Sequence, residues 1–220
     1  VELAADYNKI LVKIRRSKRV DIIILLILFI ITLDQLLKFY VKTNFALGDG
    51  FNILGLSWAQ IKFTENYGMA FGFEFGGKLG KFALGGIRFL AGLVLLYFTY
   101  VSALNNKSKW FVFFLAFITA GAIGNIIDGM FYGILFSEST VQDIASFLPQ
   151  GGGYSVFLDG HVVDMFYFPI IETTWPQWIP ILGGQLFEFN RYIFNLADLS
   201  ITVGVFGIIV LEGFRKKKNS

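Results

Sequence analysis

The 220-residue chain has no cysteine, which removes disulfides, thiolate metal sites and cysteine nucleophiles together. It has one histidine, His161, so a multi-histidine metal centre within one chain is not expected. Nothing stands at metal or triad spacing around His161, and it reads as structural. Charge is scarce as well. Only 16% of the residues are Asp, Glu, Lys or Arg, against roughly 25% in soluble domains. G-x-S-x-G, P-loop and H-E-x-x-H motifs are all missing, so no cofactor or metal is expected. What is plentiful is apolar: 55% of residues are hydrophobic, 18% aromatic, and 26 are Phe. That balance describes an integral membrane protein, and the length suits one domain over 1–220. The formal net charge of +3 is too small to suggest nucleic acid, and where the charges lie matters more than their sum.

Four stretches have the ~20 apolar residues that cross a bilayer. They lie at about 21–41, 83–104, 109–134 and 192–213. The first follows a polar, basic segment and has no small-residue exit site after Ile31, so it is read as a retained helix rather than a cleaved signal. Of the 19 Lys and Arg residues, 12 lie before the first span, between the second and third, or after the fourth. The positive-inside rule makes those regions, and both termini, cytoplasmic. The connections at about 42–82 and 135–191 then face outward. Residues 45–75 alternate apolar and polar positions with glycine breaks, a pattern of short strands. The second connection, with Trp175 and Trp178, suits the membrane–water interface.

Polar residues interrupt three of the spans at helical spacing. Asp34 and Lys38 stand at i, i+4; Asn125 and Asp128 at i, i+3; Asn195 and Asp198 at i, i+3, with Thr202 a turn further on. Each set shares one helix face. At 1.5 Å per residue, Asp34, Asp128 and Asp198 each fall roughly 9–10 Å below the outer ends of the expected spans. A charge inside a span costs about 2.5–3.5 kcal/mol on insertion scales and is functional by default. Each pair also has a structural reading: an ion pair for Asp34 and Lys38, helix–helix hydrogen bonds for Asn125 and Asp128, and back-bonding for Thr202. The functional reading is a shared carboxylate pocket. Two close carboxylates share a proton, and one then activates water while the other donates to a scissile carbonyl. Spacing alone leaves open which aspartates pair.

In chain order the sequence reads DQLLK (34–38), ENYGMAFG (65–72), GAIGNIIDG (121–129), HVVDMF (161–166) and FNLADLSITVG (194–204). This ordered set resembles the lipoprotein signal peptidase (signal peptidase II) family. The resemblance implies a bacterial inner-membrane aspartyl endopeptidase of four transmembrane helices. A small extracytoplasmic β-cradle and an extended loop between spans three and four complete that fold. It implies a catalytic pair, Asp164 and Asp198, near the outer face. Asp34 and Lys38 would support the site, Asn66 and Gly68 would lie on the cradle that receives substrate, and Gly124, Asn125, Asp128 and Asn195 would surround the pair. The implied partners are diacylglyceryl-modified prolipoproteins, cut before the lipidated cysteine, together with membrane lipid, and the protein is expected to be a monomer.

Two features depart from the family pattern. Gly129 stands where an arginine is expected, with Arg191 a candidate to replace its hydrogen bonds. About 35 residues separate Asp128 from Asp164, where the family commonly has several, and this insertion adds Asp143 and Asp159 as rival aspartates. The competing readings are a small proton-linked transporter with Asp34, Lys38, Asp128 and Asp198 as its path, a G-x-G-D protease, and a non-catalytic scaffold. The G-x-G-D motif is missing, and transporters favour midplane sites and repeats, neither of which is visible here.

Overall fold

The computed structural model describes residues 2–67, 77–105, 107–169, 171–189 and 192–219. Gly68 and Arg191 lie outside the described residues. Helix α1 (Glu2–Asn44) leads to strand β1 (Gly50–Asn52), a 3-10 turn (Ile53–Gly55) and β2 (Gln60–Asn66). Helices α2 (Gly77–Leu104) and α3 (Lys109–Leu135) follow, then β3 (Val162–Tyr167), β4 (Ile171–Thr174), β5 (Leu186–Phe189) and α4 (Leu196–Asn219). Among the described residues, four helical stretches are long and apolar enough to cross a membrane: Lys18–Asn44, Phe82–Leu104, Lys109–Leu135 and Leu196–Lys217. Their outward faces carry large apolar side chains, among them Ile22, Leu25, Ile87, Val94 and Phe206. A lipid-facing surface has this character, since hydrocarbon offers apolar groups the environment a core would.

The fourth helix starts later than the apolar pattern predicts. Residues 192–195 are not helical, because Phe194 forms a bridge with Phe166 of β3 and Asn195 caps the helix. Asp198 therefore stands in the first turn of α4 rather than two turns inside a span. Asp34, ten residues before the end of α1, lies much deeper along its own helix. Asp34, Asp128 and Asp198 do converge in one polar layer, as expected, but at unequal distances from their helix ends, because α1 and α3 reach further than α4.

Strands β1, β2 and β3 form an antiparallel sheet in that order over the end of the bundle where α1 and α3 finish. Of the strands expected in 45–75, β1 and β2 are present, and 68–75 lies outside the described residues. In the β2–β3 register Thr64 faces Asp164 and Asn66 faces Val162. Strands β4 and β5 make a separate hairpin.

Two apolar clusters fill the interior. One joins Val20, Ile23, Ile27 and Ile30 of α1 to Ala103, Val112, Ala116 and Ala120. The other, under the sheet, contains Val41, Phe63, Tyr132, Phe136, Val163 and Met165. A polar layer lies between them. Helices α3 and α4 close against each other through small residues, as membrane helices commonly do. A Cβ on Gly121 would collide with the carbonyl oxygen of Ala197, and one on Gly124 would stand 2.7 Å from Asp34 Oδ2. Gly121→Val is expected to push α4 away and cost at least about 1–3 kcal/mol. Thermal unfolding in detergent measures this, with Gly213→Ala, which meets nothing within 4 Å, as the control.

Candidate active site

The polar layer is built around Lys38. Its ammonium group, fully buried, lies 2.8 Å from Asp34 Oδ2 and 2.8 Å from Asp128 Oδ2. It also donates to Asn125 Oδ1 at 2.9 Å. An ammonium group only donates, so Asn125 must turn its oxygen to Lys38 and its amide N–H groups away. Asn125 Nδ2 then donates to Asp198 Oδ1 at 2.8 Å.

Asn195 is fixed in the same manner from the other side. Its Oδ1 accepts the backbone N–H of Asp198 at 2.8 Å, and Asp198 Oδ2 receives the backbone N–H of Asn195 at 3.4 Å. This is a reciprocal capping box in which Asp198 takes the place usually held by Glu or Gln. With its oxygen committed, Asn195 directs Nδ2 to Asp164 Oδ1 at 2.6 Å and to Asn125 Oδ1 at 3.1 Å. One asparagine thus touches both Asp164, carried by β3, and Asp198, carried by α4. Asp34 completes the helix start, because its Oδ1 accepts the Ala197 N–H at 2.9 Å.

Asp164 is buried. Burial first, and then the charge of Asp198, push its carboxyl up to about 7 against the hydrogen bond from Asn195. Asp128 does not join this pair directly. Its oxygens are taken by Lys38, by Gln35 Nε2 at 2.8 Å and by the Val163 N–H at 3.3 Å, so it tethers β3 to α1. Thr202 back-bonds to the Asp198 carbonyl at 2.9 Å, as its structural reading supposed. Asp143 is exposed and accepts from the Thr140 hydroxyl, and Asp159 accepts from the Ser155 hydroxyl at 2.6 Å; both stay in the insertion.

A cavity of about 340 Å³ opens beside Asp198. Asn66, Arg88, Asn125 and Asp198 supply its polar lining, and Gly92, Leu95, Ile126 and Ile201 much of its apolar wall. Arg88 was not singled out in the sequence, although a cation within an apolar span is itself a signal. Gln35 was missed too: beyond Asp128, it donates to the Gly124 carbonyl and accepts from the Tyr132 hydroxyl.

His161, read as structural, joins a second buried polar cluster. Lys42 pairs with Glu65 Oε1 and donates to Ser139 Oγ at 2.9 Å. His161 Nδ1 lies 2.9 Å from Glu65 Oε2, and the His161 N–H donates to the Tyr154 hydroxyl at 2.7 Å. Burial opposes ionisation of Glu65, but the His161 hydrogen bond and the Lys42 charge outweigh it and hold the carboxyl below its usual range. These residues are scattered from 42 to 161 and share no periodic pattern, so only the fold brings them together.

The insertion also accounts for the space at Gly129. Its return limb runs along the last turns of α3, where the Gly160 N–H donates to the Gly129 carbonyl at 2.9 Å and the Ser155 N–H to Gly133 at 2.8 Å. Gly133 has Ser155 Cβ 3.1 Å from where its own Cβ would stand, so the limb needs a small residue there.

These features define a multi-pass membrane protein with a buried carboxylate–amide site at one end of its bundle. The family model described as signal peptidase (SPase) II matches residues 26–214. A lipoprotein signal peptidase of Porphyromonas gingivalis is 42% identical over 186 residues, covering 84% of this chain and 80% of its own. One from Amoebophilus asiaticus is 34% identical over 188 residues, covering 84% and 74%. Two bacterial membrane enzyme structures obtained by the in meso method share the fold. One gives a TM-score of 0.55 at 23% identity, with 87% of this chain and 92% of that chain covered. The other gives 0.56 at 21%, with 91% and 92% covered. The chain belongs to the signal peptidase II family.

Lys38→Met would leave Asp34 and Asp128 buried without their cation, which costs about 3–5 kcal/mol. The expected result is a lower unfolding temperature in detergent together with lost activity, since Asn125 also loses the group that orients it.

Proposed function

We propose that this chain, as a single membrane-embedded domain, is an aspartic endopeptidase that removes signal peptides from lipoproteins. Its substrate is a diacylglyceryl-modified prolipoprotein, cut before the lipidated cysteine, and Asp164 and Asp198 are its catalytic pair. The observation that carries the assignment is the double engagement of Asn195, which hydrogen-bonds the Asp164 side chain and caps the helix turn holding Asp198. The relatives' name, lipoprotein signal peptidase, supports the substrate. The clustering of basic residues on the other side of the bundle supports an extracytoplasmic site.

Two acids with different surroundings divide the work. Asp198 receives a hydrogen bond from the Asn125 amide in the first turn of α4 and lines the cavity. It is suited to take a proton from water. Asp164, raised to about 7, is suited to hold the shared proton and donate it to the scissile carbonyl oxygen. Water oxygen bonds to the carbonyl carbon as its proton passes to Asp198, giving a tetrahedral diol. Collapse breaks the C–N bond, the amine leaves with the proton from Asp198, and Asp164 recovers its own from the diol. Asn66, which lines the cavity beside Asp198, is placed to contact the peptide, and the cavity's apolar wall suits the membrane-embedded part of the substrate.

Asp164→Asn and Asp198→Asn are each expected to abolish cleavage of a diacylglyceryl-modified prolipoprotein in a gel-shift assay, while Asp143→Asn and Asp159→Asn cleave normally. Turnover by either of the first two overturns the pair. The pH dependence follows from the raised Asp164. Cleavage should fall as pH rises through about 7, where the donating proton is lost. Between the ordinary carboxylate value of about 4 and 7 the folded protein binds a proton that the unfolded chain does not. The contribution of Asp164 to stability therefore declines as pH rises across that window. Thermal unfolding at a series of pH values should show the decline in the parent and its loss in Asp164→Asn.

A further inference from the structure

The insertion between α3 and β3 takes no part in the proposed chemistry, and its surface is unlike that of a water-facing loop. No residue from Ile144 to Leu158 is charged. Ile144, Phe147, Leu148, Val156 and Phe157 are nevertheless exposed, Leu148 at 63% and Val156 at 55%. Exposed apolar side chains concentrated in this way point to an interaction surface.

Its position in the fold narrows the partner. The Phe147 ring packs 5.2 Å from Phe39 of α1, and Phe157 packs 5.8 Å from Phe131 of α3. Phe39 and Phe131 are themselves on the exposed apolar surface, five residues before the end of α1 and four before the end of α3. The insertion therefore continues the lipid-facing surface of two spanning helices, about 6–8 Å inside their ends. The apolar stretches of α1 and α3 are each 27 residues long, or roughly 40 Å. That exceeds the ~30 Å hydrocarbon core, so their last turns stand at headgroup level.

The backbone of the insertion fits the same setting. Irregular chain near hydrocarbon must satisfy its polar groups within the protein. The N–H groups of Leu148, Tyr154, Ser155, Leu158 and Gly160 donate to the carbonyls of Leu135, Phe136, Gly133, Met130 and Gly129. The nearest charges, Asp143 and Asp159, bracket the uncharged run on either side.

We propose that residues 144–158 form an interfacial membrane element, seated at the headgroup–acyl boundary of the leaflet on the sheet side, with Leu148 and Val156 turned to lipid. A second protein copy would be an alternative cover for an apolar patch. Continuity with the lipid face of α1 and α3, and the lack of any charge that would set the register of a protein contact, favour lipid. The assignment needs only that the chain spans the membrane and is independent of which bond it cuts. One consequence is mechanical. Ser139, just upstream, hydrogen-bonds Glu65 and Lys42, so the element ties the membrane surface to strand β2.

The cysteine-free chain allows a direct test. Single variants Leu148→Cys and Val156→Cys carry a nitroxide spin label in phosphatidylethanolamine–phosphatidylglycerol vesicles. Asp143→Cys serves as the water control and Val94→Cys, on the exposed face of α2, as the lipid control. Collision with oxygen relative to a water-soluble nickel chelate is expected to be several-fold higher at 148 and 156 than at 143, approaching the value at 94. Nickel accessibility equal to that at 143 would show a water-facing loop and overturn the proposal. Protection from both reagents would show a protein partner and overturn it equally. If either variant unfolds at a lower temperature than the parent, Phe157→Cys or Ile144→Cys takes its place under the same criteria.

Discussion

A single buried cation organises this protein. Lys38 has three partners and sits between two apolar clusters where an unpaired charge would be prohibitively expensive. Each partner passes the constraint on. Asp34 uses its second oxygen to hold the first turn of α4. Asp128 holds β3 through the Val163 N–H. Asn125, its oxygen taken by the cation, must present its amide hydrogens to Asp198. Helices α1, α3 and α4 and strand β3 are thereby fixed around one ammonium group. The proposed catalytic carboxylates do not pair with Lys38 itself; the constraint reaches Asp198 through Asn125 and Asp164 through Asn195.

The parts legible in the sequence were those with local period. Four apolar runs predicted the spans, and i, i+4 spacing put Asp34 and Lys38 on one face, which is how they meet. Strand β3 was not legible. Val163, Asp164 and Met165 are all buried, so the alternation that marks a half-buried strand is missing. Only the resemblance drew attention to Asp164. The start of α4 was misplaced for a related reason. The residues before Asn195 are as apolar as the helix itself, and hydropathy cannot distinguish a strand-bridging Phe194 from a helical one. The Lys42–Glu65–His161 cluster had no periodic signal, since its members come from a helix end, a strand and the end of an insertion.

Gly129 and the long insertion looked like two independent departures from the family pattern, yet the structure joins them. The loop comes to the helix, and its N–H groups donate to the carbonyls of Gly129, Met130 and Gly133. The limb lies so close at Gly133 that a larger residue would meet Ser155. Backbone hydrogen bonds thus hold the return limb of the insertion against the last turns of α3, where the arginine is expected.

The start of α4 explains why Asp198 is tolerated in an apolar segment. Unlike Asp34 and Asp128, it is not paired with the buried Lys38. In the first turn of α4 it receives the Asn195 N–H and the Asn125 amide. The capping box that ends the helix also points Asn195 at Asp164. The arrangement that makes the charge affordable is therefore the one that brings its neighbour within reach. Lengthening α4 to the 192 start that its hydropathy suggests would destroy both at once, because Asn195 cannot cap a helix and lie inside it.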